Sequence, residues 1–184
     1  MRAFLAIEIP YDLKRYLTEV VKEIAPYVDD TRWVREDGYH ITLKFLGDIG
    51  NDKVEEINGV LPTLKESYTP FEVSLGGISG LPDQRRPRVI VVTIENGIDI
   101  IGEIYHHIEE AIALIGFERE RRPYRPHVTI GRRKSQGPIP NRVFLRLADK
   151  PFVADGIVLF KSTLTSRGAI YEPLWKISFT GGRR

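Results

Sequence analysis

Apolar and polar positions alternate along FLAIEI, Phe4–Ile9, so that Leu5, Ile7 and Ile9 share one face of a predicted strand. Pro10 ends it, and the period then lengthens. In YDLKRYLTEVVKEIAPYV, residues 11–28, Leu13, Leu17, Val20, Val21 and Ile24 recur at helical spacing. Residues 31–36 and 39–47 read as a strand pair turning at Asp37–Gly38, and 51–64 as a helix with Asn51 as its N-cap. FEVSLGGISG, 71–80, is a strand weakened by its glycines. PRVIVVTIE, 87–95, is a strongly apolar strand, followed by a long helix over 98–116. RPYRPHVTIGR, 122–132, is a further strand. A short helix is predicted within 140–148, and strands over 152–164 and 169–179 form a hairpin turning at 166–168.

Laid side by side, the two halves of the chain match. AFLAIEIP and a helix precede HITLKFLGD; VIVVTIEN and a helix precede HVTIGRR. From Phe4 to His40 is 36 positions, and from Ile90 to His127 is 37. Two copies of so long a period speak for a duplication rather than a solenoid. The pattern predicts an α+β fold of two similar lobes, each an antiparallel sheet backed by helices, related by a pseudo-twofold about a central cleft. The lobes run over about 1–80 and 87–184 of one domain, with exchange of elements between them allowed; 76–87 is the predicted connection.

Each half carries His-x-Thr in its strand. Side chains alternate faces, so His40 and Thr42 point one way and Ile41 and Leu43 the other; His127 and Thr129 oppose Val128 and Ile130 in the same manner. Two imidazoles and two hydroxyls converging about a twofold suit a tetrahedral phosphate. Hydroxyls donate to its oxygens, and imidazoles exchange protons near neutral pH. A lone histidine in a strand is more often a structural hydrogen-bonder; two His-x-Thr units at matching positions favour chemistry. His106 and His107 lack any such pattern and read as structural or surface groups.

Composition narrows the chemistry. With 42% apolar and 28% charged residues the chain is an ordinary globular protein, long enough for one domain. It has no cysteine, which excludes disulfides, thiolate nucleophiles and cysteine-held zinc. No apolar run reaches the roughly 18–20 residues of a membrane span, and MRAFLAIEIP is too short for a secretory signal, so a cytoplasmic location is the expectation. No Asp, Glu or His spacing near either motif speaks for a metal. Net charge is only +2, yet 119–134 holds seven cations against one acid, and QRRPR, 84–88, adds three; such a patch attracts phosphates.

The pair HITLKFLGD and YRPHVTIGR, with RAFLAIEIP at the start and TRWVREDGYH leading into the first motif, resembles the 2H phosphoesterase superfamily over essentially the whole chain. Within it the pattern is similar to the 2'-5' RNA ligase / RNA 2',3'-cyclic phosphodiesterase family. The resemblance implies a hydrolase that opens an RNA 2',3'-cyclic phosphate to a 2'-phosphate without metal or cofactor, with His40 as proton donor and His127 as proton acceptor. It implies phosphate binding by Thr42 and Thr129, and by an arginine that falls on Arg132. Arg132 is five positions past His127, so alternation puts it on the wrong face unless a bulge at Gly131 re-aims it. Arg125 shares the face of His127 by parity and competes for that place, and Lys44 shares that of His40. Phe45 and Tyr124 are candidate base-stacking rings, although Phe45 has the parity of the core.

The expected partner is RNA with a cyclic phosphate end, tRNA halves included, met by a monomer. A 2'-5' RNA ligase joining tRNA halves would use the same residues, with a ribose 5'-hydroxyl replacing water. Small cyclic nucleotides are an alternative substrate, and a non-catalytic RNA-binding module is an alternative of another class.

Overall fold

A computed structural model describes residues 1–166 and 168–182. The first strand, β1 (Arg2–Glu8), has five consecutive buried residues, because both of its faces are covered. Leu5 and Ile7 join the main core, whereas Phe4 and Ala6 join a second apolar cluster on the opposite face. The amphipathic helix α1 (Tyr11–Ile24) lays Leu13, Leu17, Val20, Val21 and Ile24 on the main core. It ends in a 3-10 turn over Ala25–Tyr27, shorter than the predicted 11–28 helix.

The remaining strands are β2 (Thr31–Trp33), β3 (His40–Asp48), β4 (Phe71–Leu81), β5 (Val89–Asn96), β6 (His127–Arg133), β7 (Phe152–Ala154), β8 (Gly156–Thr165) and β9 (Gly168–Ser178). The other helices are α2 (Asn51–Val60), α3 (Thr63–Ser67) and α4 (Ile98–Ala113). The sheet runs β7-β4-β5-β6-β3-β1-β8-β9, with β2 added to β6, and its paired strands are antiparallel. This order is symmetric about the β6/β3 joint. The unit β1-α1-β3 mirrors β5-α4-β6; β8 flanks β1 as β4 flanks β5. The fold is thus α+β, two matching antiparallel halves backed by helices, as the duplicated pattern predicts. β4 pairs with β5 of the second half, and the C-terminal β8 pairs with β1 of the first.

Helix α4 buries Ile101, Ile104, Ile108 and Ile112 in the same core as Ile90, Val92, Val128 and Ile130. Transferring each such side chain from water contributes about 1.5–3 kcal/mol. No helix among the described residues is long and apolar enough to cross a membrane.

Several local expectations are corrected. Residues 31–33 do not form a hairpin with 39–47: β2 pairs with β6, and Glu36–Gly38 form a 3-10 turn. Gly50, not Asn51, is the N-cap of α2, and Pro62 divides the predicted 51–64 helix into α2 and α3. Residues 122–126 stay outside β6, where Pro123 and Pro126 lack ladder donors. Only a 3-10 turn, Asn141–Val143, forms in 140–148. The strand predicted over 152–164 divides at Asp155, β7 pairing with β4 and β8 with β1 and β9. Of the predicted turn at 166–168, Arg167 lies outside the described residues.

Candidate active site

The two motifs open the two strands that meet at the joint. Ile41 pairs with Val128, both fully buried. Continuing that antiparallel register sets His40 opposite Thr129 and Thr42 opposite His127. All four lie on the face away from the helices and are half-buried. Each imidazole therefore faces the other motif's hydroxyl, and the two imidazoles occupy a diagonal. Diagonal neighbours on a sheet are roughly 7–8 Å apart, room for one tetrahedral anion between them.

His127 Nδ1 lies 2.7 Å from the carbonyl oxygen of Arg125. A carbonyl only accepts, so Nδ1 carries the proton and the neutral ring keeps its lone pair on Nε2. Burial lowers the pKa of His127, partly offset by that hydrogen bond, and the nearby Arg132 guanidinium lowers it further. His40 sits in an aromatic cage. Phe4 stacks on it at 4.7 Å between centroids and 29°, Tyr171 meets it edge-on at 5.2 Å, and Phe160 lies at 6.3 Å. Burial pushes its pKa down to about 4. A hydrogen bond to the Gly38 backbone opposes this, and the charges of Lys14, Arg132 and His127 lower it further. Both rings are therefore neutral at pH 7 in the free protein.

Two bulges decide which neighbours face the pair. Along β6, Thr129 pairs with Val91 but Gly131 with Ile90, so Ile130 is an extra residue. Ile130 and Gly131 are buried in succession, parity inverts, and Arg132 emerges on the histidine face. Gly131 is required there: a Cβ would lie 2.9 Å from Thr31 Cγ2 and from Trp33 Cε3. Along β3, Ala6 pairs with Thr42 but Leu5 with Lys44, so Leu43 is the extra residue. Phe45 consequently stands opposite Phe4, its ring 6.0 Å away, and is 65% exposed. The core position that parity assigns it is wrong for this reason. Lys44 is turned in the opposite sense, to a 2.7 Å ion pair with Glu109 of α4, away from the histidines. Tyr124 is not free to stack a base: it lies on Tyr105 at 4.0 Å and 3°, and its hydroxyl donates to Thr42 O at 2.9 Å. Arg125 contributes its carbonyl to His127, and its side chain is exposed.

Beside the pair runs a groove of about 530 Å³. Arg2, Arg32, Arg35 and Arg132 supply its charge, and Phe4, Trp33, Phe45 and Tyr171 its rings. Of the basic runs seen in the sequence only Arg132 lies here. A smaller pocket of about 190 Å³ adjoins His40, lined also by Glu8, Lys14 and Asp37. The cage and Lys14 escaped sequence reasoning. Phe4 alone was within reach, by its parity opposite Leu5 and Ile7; nothing local sets Phe160 and Tyr171 beside β1. Of the other histidines, His107 Nε2 lies 3.2 Å from Thr63 Oγ1 and His106 meets Tyr105 edge-on, both away from the site. Among the described residues no three His, Asp or Glu side chains gather as metal ligands.

The chain has clear relatives among known proteins. A family profile described as LigT like Phosphoesterase matches residues 7–91 and 93–171. A Methanocaldococcus jannaschii protein named RNA 2',3'-cyclic phosphodiesterase is 34% identical over 94% of this chain and 97% of its own length. A Thermotoga maritima protein of the same name is 29% identical over 99% and 97%. The crystal structure of a Thermus thermophilus protein superposes with a TM-score of 0.86 at 24% identity, covering 100% of both chains, which speaks to the fold alone.

Proposed function

This chain belongs to the LigT-like phosphoesterase family, and on that premise we propose that it hydrolyses the 2',3'-cyclic phosphate at an RNA end to a 2'-phosphate by two-histidine acid–base catalysis. The observation that carries the reading is the antiparallel Ile41–Val128 pair, whose register, continued one residue each way, sets His40 opposite Thr129 and His127 opposite Thr42. Its relatives' shared name supplies the substrate class.

In this mechanism the phosphate lies between the imidazoles, with the Thr42 and Thr129 hydroxyls donating to its oxygens. Arg132 meets the charge that builds on the phosphoryl group. His127 Nε2, left free by the Nδ1 bond to Arg125 O, takes a proton from water as the oxygen bonds to phosphorus. The P–O3' bond breaks, and His40 gives its proton to the departing O3'. One proton enters at His127 and one leaves at His40, so an exchange with solvent resets the pair. His40 is neutral in the free protein, and a bound phosphodiester anion supplies the opposite charge that favours its protonated form. General acid and base help of this kind contributes about 10²–10⁴-fold. No step is assigned to a metal or cofactor.

The groove supports RNA rather than a lone cyclic nucleotide. Its four arginines suit successive phosphates, and Phe45 and Trp33 offer π-faces to bases. The test is product analysis on a short oligonucleotide ending in a 2',3'-cyclic phosphate, with metal chelated. The reading requires a product ending in a 2'-phosphate; an unchanged end, or a 3'-phosphate product, overturns it.

A further inference from the structure

The two half-sheets share little backbone at the place where their spacing matters most. Ile41–Val128 is the register pair recorded between β3 and β6 among the described residues. Beyond it, toward the C-terminal end of β3, the next positions of the second strand bring Pro126, which has no N–H to donate. Side chains take over there. The Tyr124 hydroxyl donates to Thr42 O at 2.9 Å. The Lys44 ammonium donates to Glu118 O at 2.8 Å and lies 2.7 Å from Glu109 Oε1. Glu109 Oε2 in turn accepts the Glu120 N–H at 2.8 Å. The Lys44 and Glu109 side chains are 10% and 6% exposed. The Tyr124 ring lies flat on Tyr105 of α4.

These links share one consequence: the segment that delivers His127 is fastened to the strand that carries His40 and Thr42, and to α4 behind it. We propose that Tyr124 and the buried Lys44–Glu109 pair are positioning residues that set the spacing between the two His-x-Thr motifs. They do not touch the substrate. Tyr124 reaches the back of Thr42 through its carbonyl, and Lys44 is turned toward the helices by the bulge at Leu43. A buried ion pair is weak support for stability, because apolar replacements of like volume are often as stable; its geometry is what such replacements lose. A displacement of about 1 Å between catalytic groups costs on the order of 10²-fold in rate.

The inference rests on the two-histidine reading, and one set of assays separates them. Turnover of the cyclic-phosphate oligonucleotide is measured for the wild type, Tyr124→Phe, Lys44→Met, Lys44→Arg and the double variant Lys44→Met/Glu109→Leu, with thermal melts alongside. Tyr124→Phe keeps the stack on Tyr105 and removes only the bond to Thr42 O. It is expected to lower kcat about tenfold or more, with KM within twofold and a melting temperature lowered only slightly, so that the protein stays fully folded at the assay temperature. The double variant restores the melting temperature lost in Lys44→Met but not its kcat, and Lys44→Arg regains part of kcat. The proposal fails if Tyr124→Phe and the folded double variant keep kcat within twofold of wild type. It also fails if the loss appears in KM, or tracks the unfolded fraction alone. A wild type that leaves the cyclic end intact ends the two-histidine reading and this inference with it; an active wild type matched by Tyr124→Phe and the double variant ends only the latter.

Discussion

Ile41 faces Val128 across the joint of the two half-sheets, both fully buried, and this pairing sets the imidazoles of His40 and His127 on the diagonal of the face away from the helices. The helices hold the aliphatic side of the joint in the core, so the polar side has nowhere to go but the cleft.

The first prediction concerns pH and rate. Both imidazoles have lowered pKa values in the free protein, His40 at about 4, and each shift is led by burial. The dependence of kcat/KM on pH reports the free protein and that of kcat the complex. An anion between the rings raises His40 again. The expected outcome is a bell for kcat/KM whose maximum lies below 6.5, with the alkaline limb of kcat displaced to higher pH. Coincident profiles would contradict the burial of His40 as the governing cause.

The same depressed value predicts a loss of stability in acid. The unfolded chain binds a proton at its histidine near 6.5, while folded His40 resists until about 4. Stability from this group is complete above 6.5 and falls as pH drops through that window. The loss is on the order of 1–3 kcal/mol, at 1.4 kcal/mol per unit and with part of the ring still open to solvent. Urea midpoints at pH 7 and 4.5 for wild type and His40→Phe measure it; equal pH dependence in the two proteins would count against it.

Gly131 carries a steric prediction. Gly131→Ala drives a methyl to 2.9 Å from Thr31 and Trp33, displacing β2 or the bulge that aims Arg132. The expected cost is about 1–3 kcal/mol in unfolding free energy, typical of overpacking, with a parallel loss of kcat/KM. Trp33→Leu in the same chain recovers part of the stability. An alanine variant as stable and active as wild type would refute the assignment.

The groove separates stacking from charge. Phe45 is exposed, so Phe45→Ala leaves stability within about 0.5 kcal/mol. Loss of one base stack weakens oligonucleotide binding by about 1–3 kcal/mol. Arg32→Ala instead lowers the slope of log affinity against log salt by about one. Binding titrations at several salt concentrations decide; equal slopes and affinities in all three proteins would mean the strand does not lie here.

Much of this site is readable from period-two alternation, because the facing of His40, Thr42, His127 and Thr129 depends on nothing beyond the local strand. The duplication is readable too, since both copies keep their order and spacing. What sequence hides is non-local. β2 looks like the first arm of a hairpin, yet its partner is β6, some hundred positions on. Phe45 and Lys44 carry misleading parity because a single extra residue, Leu43, inverts it; Gly131 flagged the matching bulge in β6 only because it is a glycine. The cage around His40 needs β8 and β9 brought beside β1, which no local pattern announces.

The most direct measurement is single-turnover opening of a cyclic-phosphate oligonucleotide by His40→Ala, His127→Ala and the double variant, each shown to be folded. Two groups acting on opposite sides of one phosphorus predict a loss of about 10²–10⁴-fold in each single variant, and a double variant little worse than either, as for residues that work as a unit. A single variant that opens the ring at the wild-type rate would contradict the account.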